Sequence, residues 1–430
     1  MMIKEYSKMS KEELNDIIIG LKKQYDDIKN QGINLDMSRG KPSKEQLDLT
    51  MPMLDVLNGN SDIKALNGTD VRNYGVLEGL SEVKALLADV AQVNKENVIV
   101  FGNSSLSIMF DTISRAYTHG ISGNTAWGRL EKIKFLCPAP GYDRHFKISE
   151  YFGMELIYVP MKQNGPDMDM VERLVKEDDA VKGIWCVPKY SNPQGYSYSD
   201  ETVKRFANLK PKAKDFRIFW DNAYCVHHIK FDKKAEILNI LDECENAGNP
   251  DLAYMFFSTS KISFAGSGIS GIASSKDNLE QIKKHMSIQC ISHDKINQLR
   301  HFRFFKDIDG INEHMKKHAE IMRPKFELVI DSFEKELKSL KIATWTDPVG
   351  GYFISFEALN GCAKKIVSMA KDAGLVLTDA GASFPYGIDP NDSNIRIAPS
   401  FPDIKELRDA VELFILCVKL VSAQMIYEER

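Results

Sequence analysis

The sequence predicts an α/β protein: a large domain built on a mainly parallel, doubly wound sheet, with a smaller α+β domain beside it. Three observations carry this expectation. From about residue 80, short and almost continuously apolar runs alternate with helical stretches, and runs apolar at every position suit strands covered on both faces. After about residue 310 that alternation gives way to a long charged helix and a few shorter elements. Finally, 430 residues exceed one comfortable hydrophobic core.

Taken in order, Ser10 and Glu13 form a capping box ahead of Leu14, Ile17, Ile18, Leu21, Tyr25 and Ile28, which recur at helical spacing. Gly40 and Pro42 then break the pattern in "LDMSRGKPS", which reads as an ordered loop. The strand-like runs are "NVIVF" (97–101), "KFLCP" (134–138), "ELIYVP" (155–160), "GIWCVP" (183–188), "FRIFWD" (216–221), "YMFFS" (254–258) and "GISGIAS" (268–274). Helices between them would supply the cover that a parallel sheet requires. A charged helix over 312–340 leads to "ATWTDPVGGYFISFEA", a second helix, "GLVLTDAG", "NIRIAPS" and a closing helix. The expected division is therefore 56–310 for the large domain, with 1–55 and 311–430 forming the small one.

Composition narrows the function classes. A formal net charge of −4 without a basic stripe argues against a nucleic-acid binder. The seven cysteines are scattered and lack CxxC spacing, which suits a reducing compartment better than a disulfide framework or a zinc site. The first twenty residues do not resemble a secretory signal, and no apolar run reaches the roughly 18 residues of a membrane span. A cytoplasmic protein with no membrane partner is expected.

The chemistry concentrates at strand ends. Lys261 sits in "MFFSTSKISFAGSGISG" as the one charge among small and aromatic residues, just beyond a strand, where open α/β sheets place their ligands. Desolvation there would lower its pKa and make the amine a nucleophile toward carbonyls, although a paired or snorkelling lysine fits the same residues. Asp221 closes the strand of "WDNAY", and a carboxylate leaving an apolar strand calls for a cationic partner such as a protonated pyridine nitrogen, unless it caps a helix. Tyr224, one turn further on, and Asn192 of "VPKYSNPQG" could both donate to a phenolate oxygen; a half-buried tyrosine and a plain turn are the alternatives. Gly102, Asn103, Ser104 and Ser105 lie between a strand and a helix, a place for a phosphate dianion or for simple capping. Tyr142, with His145 three residues later, brings an aromatic face to another strand end. Arg396 alternates with Ile395 and Ile397 and suits bidentate capture of a carboxylate, or exposure on a strand.

Read together and in this order, "RNYGVLEGL", "GNSSL", "PGYDRHF", "VPKYSNPQG", "WDNAY", "STSKISFAGSG" and "NIRIAPS" resemble the fold-type I pyridoxal-phosphate enzymes of the aspartate aminotransferase superfamily. Within it, the chain looks like the branch known as Corynebacterium-type or MocR-like aminotransferases. The resemblance implies that Lys261 links covalently to pyridoxal 5′-phosphate and, once freed, moves the proton of the substrate's α-carbon. It implies that Asp221 pairs with the ring nitrogen, that Asn192 and Tyr224 bond the phenolate oxygen, and that Tyr142 stacks on the ring. Gly102, Asn103, Ser104 and Ser105, with Ser258 and Ser260 near the lysine, would hold the phosphate. Arg396 would take the substrate's α-carboxylate, with Asn192 beside it, and "SRGKPS" looks like the covering loop that brings Gly40 to the substrate. Tyr74 looks like the tyrosine that reaches the phosphate of a neighbouring subunit, which implies a homodimer with shared sites.

Two departures from the family pattern stand out. Ile269 occupies the place, eight residues after the lysine, where an arginine usually meets the phosphate, leaving Ser258, Ser260 and Ser267 as replacements. The ring-stacking position, often tryptophan, is Tyr142. The expected reaction is amino transfer between an L-amino acid, aspartate or glutamate, and a 2-oxo acid. Arg39, Lys41, Arg144, Lys295 and Arg300 are candidate sources of a second cation for a distal carboxylate, the last two from a partner chain, and solvated surface charge fits any one of them equally well. Rival readings on the same scaffold are a β-lyase or decarboxylase and, further off, a non-catalytic regulator domain.

Overall fold

The computed structural model describes residues 4–430. Its centre is an eight-stranded sheet whose order is Val98–Phe101, Ser270–Ala273, Ala253–Ser258, Arg217–Asp221, Val181–Cys186, Lys134–Ala139, Glu155–Lys162 and Gly165–Pro166. Neighbours from Ala253–Ser258 through Glu155–Lys162 pair in parallel. Four of its strands are buried at every position, as mostly apolar sequences covered on both faces require: Val98–Phe101, Val181–Cys186, Arg217–Asp221 and Ser270–Ala273.

Two strands depart from the direction of this mainly parallel sheet, and the short edge strand Gly165–Pro166, antiparallel to Glu155–Lys162, is one of them. Ser270–Ala273 lies antiparallel to both Val98–Phe101 and Ala253–Ser258. Only eleven residues separate Ser258 from Ser270, and the chain between them turns back instead of crossing over the sheet, so the returning strand must be antiparallel. Because Val98–Phe101 in turn opposes it, the strands that precede the Ser104 and Lys261 segments still point the same way. Their carboxyl ends therefore share one edge with those of Arg217–Asp221, Val181–Cys186 and Lys134–Ala139.

A separate antiparallel sheet is formed by Ala343–Trp345, Ile354–Ala358 and Asn394–Ile397. The N-terminal segment joins this region: Leu35–Asp36 pairs in parallel with Leu375–Val376, and the helix Lys11–Lys29 packs on the closing helix Ile404–Glu428. Ser10 caps that first helix with the capping box read from the sequence. One hydrophobic cluster unites Leu14 and Tyr25 with Phe333, Phe356 and Phe414. The charged helix runs as Ile308–Glu336 with Pro324 inside it.

The closing helix corrects one expectation. Ile404–Glu428 is long and apolar enough to cross a membrane by length and composition, which the search for unbroken apolar runs missed because occasional charges interrupt it. Most of it is covered by protein, including the helices Lys11–Lys29, Ile308–Glu336 and Ala363–Asp372. Its apolar surface belongs to a core, and that accounts for the composition without a lipid phase.

Candidate active site

A cavity opens at the common carboxyl edge, and Lys261 reaches into it from the turn after Ala253–Ser258. Asp221 enters from the end of its strand, Asn192 from the loop after Val181–Cys186, and Tyr142 from the loop after Lys134–Ala139. Ser104 and Ser105 line the cavity at the start of the helix Ser105–His119. Tyr224, Ser258 and Ser260 also line it, with the apolar Leu106, Met109, Val187 and Ala223. Parallel strands make this convergence automatic, since each loop that follows a strand leaves on the same side.

Burial lowers the Lys261 ammonium below the ordinary lysine range; the Asp221 carboxylate works against that shift and the Arg396 guanidinium adds to it. Its Nζ lies 5.3 Å from the centre of the Tyr224 ring and 5.9 Å from that of Tyr352. These two rings are stacked, with centres 6.1 Å apart. Tyr352 also donates from its hydroxyl to the Lys261 carbonyl at 3.4 Å and accepts from Gln46 Nε2 at 3.0 Å, which ties the lysine backbone to the N-terminal segment.

Asp221 is buried, and His145 donates from Nε2 to its Oδ2 at 3.0 Å. Its Oδ1 is buried without a hydrogen-bond partner among the described residues. An acceptor in that condition is costly, so the carboxylate is built to receive a donor from the cavity. Burial holds the Tyr224 hydroxyl protonated and pushes the Tyr142 hydroxyl up to about 12, so both remain donors at neutral pH.

Arg396 stands on Asn394–Ile397, where it pairs across from Ser355, and it contacts the cavity-lining Asn192 without lining the cavity itself. Its Nη1 donates to Asp143 Oδ1 at 3.0 Å and more weakly to Asn192 Oδ1 at 3.4 Å, and its Nη2 donates to Thr378 Oγ1 at 3.2 Å. The guanidinium lies over the Phe353 ring, 4.9 Å from its centre.

The helix Ser105–His119 begins without a side-chain cap on its first N–H groups. Those donors face the cavity beside Ser104 and form a ready seat for an anion. Gly102 and Asn103 stand behind it instead of lining it. The Gly102 carbonyl accepts from Ser270 at 2.7 Å, and the Asn103 carbonyl accepts from Ser260 at 2.7 Å. They brace the two loops against each other. Gly40 also lies off the cavity wall, pressed on Phe353, and Tyr74 is 79% exposed. Ile269 is buried in the core, so its position offers nothing to a phosphate; Arg300 instead brings a guanidinium to the lysine loop through Ser267 Oγ at 2.9 Å.

Among the proposed sources of a second cation, Lys295 is buried and donates to the Gly75 carbonyl at 3.0 Å, and Lys41 lies over the Phe401 ring at 3.6 Å. Sequence reasoning missed Asp143, Thr378, Phe353 and Tyr352. Only Asp143 carried a signal, as an acid directly beside Tyr142.

This lysine, acid and anion seat at the edge of such a sheet define a pyridoxal-phosphate transferase of fold type I. A family model described as aspartate amino-transferase matches residues 9–430. The aspartate aminotransferase of Corynebacterium glutamicum is 43% identical over 98% of this chain and 99% of its own length. A crystal structure of an aspartate transaminase from the same organism superposes with a TM-score of 0.95 at 42% identity, covering 99% of this chain and 100% of that one. An α-aminoadipate aminotransferase from Thermus thermophilus, crystallised with N-(5′-phosphopyridoxyl)-L-leucine, shares the fold at 19% identity and a TM-score of 0.74, over 91% of this chain and 94% of that one. The chain belongs to the aspartate aminotransferase family: it is an aminotransferase, and its cofactor is pyridoxal phosphate.

Proposed function

We propose that the protein exchanges an amino group between an acidic L-amino acid, aspartate or glutamate, and a 2-oxo acid, using the residues that line the Lys261 cavity. The observation that carries this reading is the buried, unpartnered Oδ1 of Asp221 in the same cavity as a lysine with a depressed pKa. A pyridinium N–H is the donor this acceptor lacks, and a lysine biased toward its neutral amine is the nucleophile that an aldehyde needs. The residues present therefore fit the coenzyme. Asp221 and His145 would hold its ring nitrogen, Asn192 and Tyr224 its phenolate oxygen, and Tyr142 its face. Ser104, Ser105, Ser258 and Ser260 would hold its phosphate at the helix start, with Gly102 and Asn103 bracing them.

When bound, pyridoxal phosphate supplies an electron sink for the substrate's α-carbon. The protein does the rest. Arg396 binds the α-carboxylate, with Asn192 at its side. Lys261 Nζ would take the proton from the substrate's α-carbon. The paired Tyr224 and Tyr352 rings keep Nζ close while it carries that proton, since an ammonium is attracted to aromatic faces.

We further propose a homodimer in the cytoplasm, in which Tyr74 contributes to the neighbouring subunit's phosphate. Its exposure and its absence from the lining of its own cavity support this, as do exposed Ile288, Ile291 and Ile296. The units are read as 1–55 with 311–430, and 56–310. Gly40 would meet the substrate through Phe353 and Arg396.

Titration of the purified protein with L-aspartate tests the reading. A band near 420–430 nm should give way to one near 330 nm, as pyridoxal-phosphate chemistry generally requires. Release of pyruvate and ammonia would instead mark a lyase, and much better turnover of alanine or aromatic amino acids would overturn the acidic substrate.

A further inference from the structure

We propose that Asp143 is a built-in competitor for the substrate's carboxylate on Arg396, and so sets substrate affinity. This rests on reading Arg396 as the carboxylate-binding residue. Asp143 is the first residue of the helix Asp143–Tyr151, directly after Tyr142, and its Oδ1 accepts from Arg396 Nη1 at 3.0 Å. The guanidinium is thus already engaged by a carboxylate.

Arg396 does not need that contact to hold its orientation. Strand pairing fixes its backbone, Phe353 supports the guanidinium plane, and Thr378 and Asn192 accept from its two terminal nitrogens. The pair with Asp143 is also the kind that yields. It uses a single oxygen, not the two parallel hydrogen bonds of a fork, and the Asp143 side chain is 27% exposed while that of Arg396 is 9% exposed. Solvent screening weakens such a contact. A second cation stands ready for the displaced carboxylate: Arg144 Nε lies 4.0 Å from Asp143 Oδ2, on a side chain 60% exposed.

An incoming carboxylate therefore exchanges with Asp143 instead of meeting a free guanidinium, and part of its binding is offset by the contact it replaces. A ligand without a carboxylate has no quarrel with Asp143.

The test compares two aminooxy reagents on the coenzyme-loaded protein, followed by the absorbance change as each captures the coenzyme. Aminooxyacetate carries a carboxylate and methoxyamine does not, and neither requires turnover. Asp143→Asn should lower the half-saturating concentration of aminooxyacetate on the order of tenfold, the scale of one charge-assisted contact, and leave methoxyamine unchanged. Asp143→Ser should behave alike, which guards against a peculiarity of the amide. Unchanged or weaker aminooxyacetate binding in both variants, or an equal change for both reagents, overturns the proposal. Arg396→Gln separates the premise: if this variant still prefers aminooxyacetate over methoxyamine as strongly as the parent, the assignment of Arg396 fails, and the role of Asp143 fails with it.

Discussion

His145 donates to Asp221 at 3.0 Å while its ring lies flat on Trp185, with centres 4.5 Å apart and planes at 11°. The indole fixes the imidazole, and the imidazole fixes the carboxylate. Losing one buried, charge-assisted hydrogen bond costs about 1.5–3 kcal/mol. His145→Ala should therefore reduce kcat/KM for aspartate roughly ten- to a hundredfold, and His145→Gln, which restores a donor, should recover part of it. Asp221→Ala should lose more than either. Steady-state kinetics of the three variants check the order, and an Asp221→Ala enzyme as active as His145→Ala would contradict the assignment.

Lys261→Ala should no longer allow borohydride to fix the coenzyme to the chain, and amino transfer should fall by about 10²–10⁴-fold, the usual contribution of a positioned proton carrier. Mass spectrometry of the borohydride-treated protein reads the first outcome. In the coenzyme-free protein, Lys261→Met should be at least as stable as the parent at pH 7. Burial lowers the folded-state pKa of this lysine, so the unfolded chain holds its proton more firmly and the parent carries a penalty at neutral pH. That penalty shrinks as pH rises from the lowered value toward the ordinary one. Melting temperatures at pH 7 and above should converge accordingly.

A Cβ at Gly40 would stand 2.3 Å from Cζ of Phe353, the ring that underlies Arg396. Gly40→Ala must push that ring, and overpacking costs about 1–3 kcal/mol. The KM for aspartate should rise about fivefold or more, with kcat less affected, by the conversion of about 1.4 kcal/mol to each factor of ten. Gly40→Ala combined with Phe353→Leu should relieve the rise. An unchanged KM in the single variant would show that the ring does not support Arg396.

Two buried histidines predict acid lability. Burial pushes His301 down to about 4 and His318 down to about 3. Their contribution is complete above the ordinary histidine value of about 6.5 and is lost as pH falls through the window from there to about 4 and about 3, because the unfolded chain takes up protons first. Each uncompensated histidine costs about 1.4 kcal/mol per pH unit in that window. Urea midpoints at pH 7 and pH 5 should show the drop, and His318→Gln should narrow it. Equal narrowing by substitution of an exposed histidine, such as His119, would refute the cause.

Much of this arrangement was legible from residues alone. Asp221 ends an apolar strand and Lys261, Asn192, Tyr142 and Ser104 each follow one, and a parallel sheet sends all such residues to one edge, so local pattern was enough to gather them. Strand direction was less legible. "GISGIAS" is apolar whichever way it runs, and only the short return from Ser258 dictates that Ser270–Ala273 is antiparallel. Contacts of Arg396 were less legible still. Asp143 and Thr378 lie 253 and 18 residues from it in sequence, and they meet only through the packing of separate elements. The burial of Ile404–Glu428 likewise depends on partners far along the chain.

The pairing of Leu35–Asp36 with Leu375–Val376, and of the first helix with the last, bears on how the protein is made. A ribosome releases Lys11–Lys29 with its apolar stripe uncovered, and supplies the matching surface of Ile404–Glu428 only several hundred residues later. The eight-stranded sheet, whose last strand ends at Ala273, has no such wait. The sheet can therefore consolidate first, while Lys11–Lys29 waits for the helix that covers it.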